Sequence, residues 1–120
     1  MISNIEITGN KYKVEDSLSK YVRRRLGKLD HYLPRAHRSD LSLRLAIEQI
    51  NRPHGNKYEI HAEFLIPTGK TLAAKTETAN VFSGVDIIEA KLMGQARRFK
   101  TEIDNQKPKG IFRRFLKKAN

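Results

Sequence analysis

A chain of 120 residues, 38% hydrophobic and 31% charged, is one domain with room for a single core. It holds no cysteine, which excludes disulfides and thiolate metal sites, and no apolar run approaches the length of a membrane span. No secretory leader pattern opens it, so the cytoplasm is the expected compartment and no membrane partner is expected. The net charge of +11 is concentrated. Residues 13–38 carry eight Lys/Arg against three Asp/Glu, and residues 80–120 carry ten against four. Residues 1–12 and 39–79 are neutral. Charge gathered in this way makes a basic face, and a basic face points to nucleic acid or an anionic membrane.

Ile5 and Ile7 alternate with Asn4 and Glu6, which predicts a short first strand. Thr8-Gly9-Asn10 predicts a turn after it. Val14 to Leu33 predicts one helix. Leu18, Val22, Leu26 and Leu29, with Val14 and Leu33, form a single apolar stripe, and the helix should end near Leu33-Pro34. Gly27 inside it costs about 1 kcal/mol relative to Ala and either marks close approach of another backbone or is simply tolerated. Beside the stripe runs a flank of Tyr21, Arg25, Lys28 and Tyr32. Two rings with two cations between them make a phosphate-and-base surface. The plainer alternative is that the cations only edge a packed helix, and the flank alone does not decide between them.

Asp40 to Gln49, Tyr58 to Ile66 and Thr71 to Thr78 alternate as strands, joined by the loop at residues 51–56 and the turn Pro67 to Lys70. Such a meander is covered on one side. Its open side carries Glu48, Glu59 and Glu63 and is a poor nucleic-acid surface. Asn80 is an N-cap candidate for a last helix of about six turns, with Phe82, Val85, Ile88, Leu92, Ala96, Phe99 and Ile103 as its apolar stripe. Lys91, Gln95 and Arg98 flank that stripe, with Arg97 and Lys100 close by. The predicted order is β-α-β-β-β-α, an α+β fold. A four-stranded sheet carries both helices side by side on one face. Their flanks would meet in a basic groove, with Lys20, Arg24, Arg25, Lys28, Lys91, Arg97, Arg98 and Lys100 as its candidate RNA contacts.

The folded domain is expected over residues 1–105, with a tail at 106–120. Lys107-Pro108-Lys109-Gly110 stops the helix. Beyond it Ile111-Phe112 and Phe115-Leu116 alternate with Arg113-Arg114 and Lys117-Lys118. Eight residues are too few for a stable isolated helix, so the tail is expected to order only on a partner. Its contacts would be Phe112, Arg113, Arg114, Phe115, Lys117 and Lys118.

No catalytic constellation is present, and the chain is not expected to be an enzyme or to carry a cofactor. His31, His37, His54 and His61 do not pair at metal-ligand spacing, and no Gly-rich loop joins a strand to a helix. His61 between Glu59 and Glu63 reads as a solvent face.

Four blocks then carry a resemblance. They are Ile7-Thr8-Gly9-Asn10, Leu18 with Val22 and Arg25-Leu26-Gly27-Lys28-Leu29, Tyr58-Glu59-Ile60-His61-Ala62, and Asn80 to Asp86 followed by Lys91-Leu92 and Arg98. In this order and spacing, over about residues 2–104, the chain resembles the ribosome hibernation-promoting factors, also called ribosome-associated inhibitors. The resemblance implies a fold similar to double-stranded-RNA-binding domains. It implies binding in the tRNA and mRNA channel of the small ribosomal subunit, to rRNA and ribosomal proteins, and translation shut down in resting or stressed cells. It maps the family's basic residues onto Arg25, Lys28, Lys91 and Arg98. Gly94 stands where the family often has Arg, and Phe82 where it usually has Tyr. The chain is like the short members, which lack a second, ribosome-dimerising domain. Some of those assist ribosome pairing through a separate small protein, and others oppose pairing. The alternative reading is a generic binder of structured or double-stranded RNA.

Overall fold

Apolar–polar alternation at a period of two builds four strands, and two apolar stripes at helical period cover one side of them. The computed structural model describes residues 1–53 and 55–106. The elements are β1 (Asn4–Asn10), α1 (Asp16–Leu26), β2 (Ser42–Gln49), β3 (Tyr58–Leu65), β4 (Thr71–Thr78) and α2 (Val81–Gln106), with short 3-10 turns at Leu29–Tyr32 and Arg35–His37. The sheet order is β1-β2-β3-β4. β1 pairs parallel with β2, and α1 makes the crossover that a parallel pair needs. The β2-β3 and β3-β4 pairs are antiparallel, so the expected meander is present. Leu43, Leu45, Ile47, Ile60 and Phe64 point from the sheet to meet Leu18, Val22, Leu26, Val85, Ile88 and Leu92 from the helices. Each of these is no more than 1% exposed. Among the described residues no helix is long and apolar enough to cross a membrane. The tail and His54 lie outside them.

Three local expectations are corrected. The first strand does not stop at Thr8. Gly9 and Asn10 stay in the ladder opposite Ile47 and Glu48, and the reversal falls at Lys11, whose φ is 57°. Pairing with β2 overrides the local turn preference.

The first helix is not continuous to Leu33. It ends at Leu26, and the chain tightens into the 3-10 turn. The cause is at Gly27. The Ile2 N–H donates to the Gly27 carbonyl at 2.8 Å, and the His31 N–H turns to Lys28 O, three residues back, at 3.1 Å. Met1 also packs there, its Cγ 3.2 Å from where a Gly27 Cβ would stand. The glycine therefore admits another segment of backbone, the first of the two readings open for it.

Phe82 is not part of the buried stripe of α2. It is 38% exposed, and Val81 is buried in its place. Asn80 does cap the helix, its Oδ1 accepting from the N–H groups of Phe82 at 2.8 Å and Ser83 at 3.3 Å. Gly84 lets this end of the helix lie close on the sheet, since a Cβ there would stand 2.6 Å from Ile60 Cδ1.

Candidate nucleic-acid interface

The two helices meet along a seam that is ordered by residue. Tyr21 touches Phe82 and Asp86, Arg25 touches Asp86 and Glu89, and Tyr32 lies against Arg97. Rising numbers on one side meet rising numbers on the other, so α1 and α2 run parallel. The flank expected from α1 is therefore at the seam, with Tyr21, Arg25 and Tyr32 facing α2.

The first half of the seam is a closed polar network. The Tyr21 hydroxyl donates to Asp86 Oδ1 at 2.6 Å. Arg25 Nε donates to Glu89 Oε1 at 2.9 Å, and its Nη2 lies 2.8 Å from the same carboxylate and 3.3 Å from Asp86. The hydrogen bond to Asp86, helped by burial, pushes the Tyr21 phenol above its ordinary 10.0. The hydrogen bond and charge of Glu89 push the Arg25 guanidinium higher still, so it stays a cation. Tyr21 meets Phe82 edge-on at 5.3 Å, and the guanidinium of Arg24 lies 5.4 Å from the Tyr21 ring centre.

The second half carries cations, with Asp104 one turn beyond Lys100 on α2. Arg97 lies 5.1 Å over the Tyr32 ring. Lys28 is exposed at the link between α1 and the 3-10 turn, and helical spacing puts the exposed Lys100 on the same side as Arg97. Among the described residues Lys28, Arg97 and Lys100 have no ion-pair partner, and the same holds for Lys20, Arg24 and Arg98, all exposed.

The flank expected from α2 is elsewhere. Lys91 Nζ donates to Lys75 O at 2.7 Å. The Gln95 side chain donates to Ala73 O at 2.6 Å and accepts from Ala73 N at 3.2 Å. Both serve the outer edge of β4, whose backbone groups need partners. Arg98 points the same way around the helix, 3.8 Å from the place of a Gly94 Cβ. The expected basic groove is thus corrected in its α2 wall. An apolar stripe has two flanks, and the one nearer α1 holds Phe82, Asp86, Glu89, Arg97 and Lys100. Spacing alone does not say which of the two faces α1, so Asp86 and Glu89 are the seam residues it misses.

The open face of the sheet is a lattice of opposed charges. Arg44 lies 3.7 Å from Glu6 and 3.8 Å from Glu63, Lys75 lies 3.5 Å from Glu59, and Arg52 lies 3.2 Å from Glu77. His61 bonds Glu59 at 3.3 Å. Burial alone would raise the Glu59 carboxyl, but the His61 bond and the Lys75 charge outweigh it and hold it below the ordinary 4.5.

Comparison with known proteins places this arrangement. A Lactococcus lactis subsp. cremoris protein named ribosome hibernation promotion factor is 30% identical over 104 residues, which is 86% of this chain and 52% of that protein. A Staphylococcus aureus protein of the same name is 28% identical over 102 residues, 84% of this chain and 50% of that one. The chain spans about half the length of each. The crystal structure of the Thermus thermophilus Protein Y N-terminal domain superposes with a TM-score of 0.66 at 22% identity, over 80% of this chain and 98% of that one. The structure of a ribosomal subunit interface protein from Coxiella burnetii gives 0.64 at 23%, over 82% and 98%. At these identities the two structures establish the fold alone. The model of one family matches residues 5–104, from β1 almost to the end of α2. By that match the chain belongs to the Sigma 54 modulation protein / S30EA ribosomal protein family.

Proposed function

We propose that the chain is a ribosome-binding inhibitor of translation in resting or stressed cells. It acts without catalysis, by occupying the tRNA and mRNA channel of the small subunit and promoting hibernation. The observation that carries this reading is the helix face. Lys20, Arg24, Lys28, Arg97, Arg98 and Lys100 are exposed on it and make no ion pair among the described residues. Cations left unpaired in a folded domain are available to release counterions from phosphate, the main term in RNA affinity. The names of the two half-matched relatives supply the ribosome as the RNA in question. The heads of Arg25 and Lys91 are engaged by protein acceptors, so neither counts among these free cations. The tail residues Phe112, Arg113, Arg114, Phe115, Lys117 and Lys118 are proposed to add contacts in rRNA or on a ribosomal protein. A separate ribosome-pairing factor is a further proposed partner.

The test is co-sedimentation with purified ribosomes, with in vitro translation followed in parallel. Retention on the small subunit and inhibition that survive excess competitor duplex RNA are expected. Equal affinity for any duplex RNA would replace this reading with a generic RNA binder.

A further inference from the structure

The seam between α1 and α2 is divided, and its two halves suit different parts of a nucleotide. In the first half, the two carboxylates of Asp86 and Glu89 close on a single guanidinium, that of Arg25. A phosphate brought to Arg25 would meet both carboxylates at ion-pair range, and like charges at that distance repel. At the same end stands Phe82, an exposed aromatic on the described surface, its ring edge-on to Tyr21. An exposed ring beside carboxylates favours an uncharged flat partner, because a base stacks while its phosphate stays away. In the second half, Lys28, Arg97 and Lys100 make no ion pair among the described residues, and Tyr32 backs Arg97. A guanidinium held over a ring keeps its outer N–H groups for bidentate contact with phosphate.

Resting on the proposed RNA binding, we propose that single-stranded RNA lies along this seam with a base on Phe82 and its backbone phosphates on Lys28, Arg97 and Lys100. Arg25 is then a positioning residue. It clamps α2 to α1 through Glu89 and Asp86, fixes the distance between the two rims, and touches no phosphate. The observation that makes this specific is that one cation closes on two acids in one half, while among the described residues Lys28, Arg97 and Lys100 of the other half make no ion pair.

The experiment is a salt series of binding titrations with purified small ribosomal subunits and, separately, a single-stranded RNA oligonucleotide, with a melting curve for every variant. Arg97→Gln should lower the slope of log affinity against log salt by about 0.7–0.9, one phosphate contact. Phe82→Ala should weaken binding on the order of tenfold at every salt concentration and leave the slope unchanged. Arg25→Gln should keep the wild-type slope while melting at a lower temperature. The double variant Asp86→Asn, Glu89→Gln frees Arg25 and should steepen the slope by about one contact. If Arg25→Gln flattens the slope as Arg97→Gln does, or if the double variant leaves it unchanged, the division of the seam is wrong. Wild-type binding to the oligonucleotide with the expected pattern, but none to the subunit, would overturn the ribosome reading and leave the seam standing. Absence of wild-type binding to both would overturn the two together.

Discussion

The helix face and the open sheet face of this domain both carry many charges, and they spend them differently. On the sheet, neighbouring charges are matched: Arg44 with Glu6 and Glu63, Lys75 with Glu59, and Arg52 of the loop after β2 with Glu77. On the helices one cation, Arg25, is matched twice over, and six others on the same face are matched by nothing among the described residues. Exposed ion pairs of the sheet kind contribute little to stability. What they achieve is a surface that attracts neither phosphate nor its counterions. The lesson is that net charge locates a binding face less well than unpartnered charge does.

The largest expected effect breaks the helix face. Replacing Lys28, Arg97 and Lys100 together by Gln should lower the salt slope of ribosome binding by about 2–2.7 and leave the fold intact, since all three are exposed. Affinity at moderate salt should fall by two orders of magnitude or more. Salt-dependent co-sedimentation and thermal melting check both statements.

A second effect concerns how the face is held. Reversing Arg25 to Glu would place three carboxylates together at the seam, with Asp86 and Glu89. The variant should melt well below wild type, whereas Lys28→Glu should not. Equal melting temperatures for the two would show that the network is ornamental.

The sheet face sharpens the comparison from the other side. Glu63→Gln with Arg44→Gln removes one cation and one acid from the matched lattice and should change ribosome affinity less than twofold. A pH series adds a sign. The Glu59 carboxyl is held below 4.5 in the folded chain, so its contribution is present above that value and fades as pH falls through the folded value. Wild type should therefore lose its melting advantage over Glu59→Gln as pH is lowered past 4.5, and not before. The smallest change is Gly94→Ala. The site is helical and open, with only Arg98 near, and Gly costs about 1 kcal/mol relative to Ala. A rise of about 4 °C in Tm is expected, with binding unchanged.

How far the sequence could be taken is clearest at particular residues. The order of elements and the core positions from Leu18 to Leu92 followed from period, because burial selects one face and period reports it. Tyr21, Arg25 and Tyr32 were placed at the seam for the same reason. What period cannot say is which neighbour lies on each side of a stripe. Period therefore assigns Lys91 and Gln95, which serve the β4 edge, to the seam and leaves out Asp86 and Glu89. The helix break at Gly27 was marked by its residue type but caused by the Ile2 N–H, a partner distant in sequence. Each miss is a tertiary contact that local pattern does not contain.

The measurement closest to the central claim sets the two faces against each other in one experiment. Small-subunit binding is followed across a salt series for wild type, for the Lys28, Arg97, Lys100 triple Gln variant, and for the Glu63→Gln, Arg44→Gln variant. The account predicts a slope shallower by about 2–2.7 for the helix variant and a wild-type slope for the sheet variant. A wild-type slope for the helix variant, or an equal loss from the sheet variant, would contradict it.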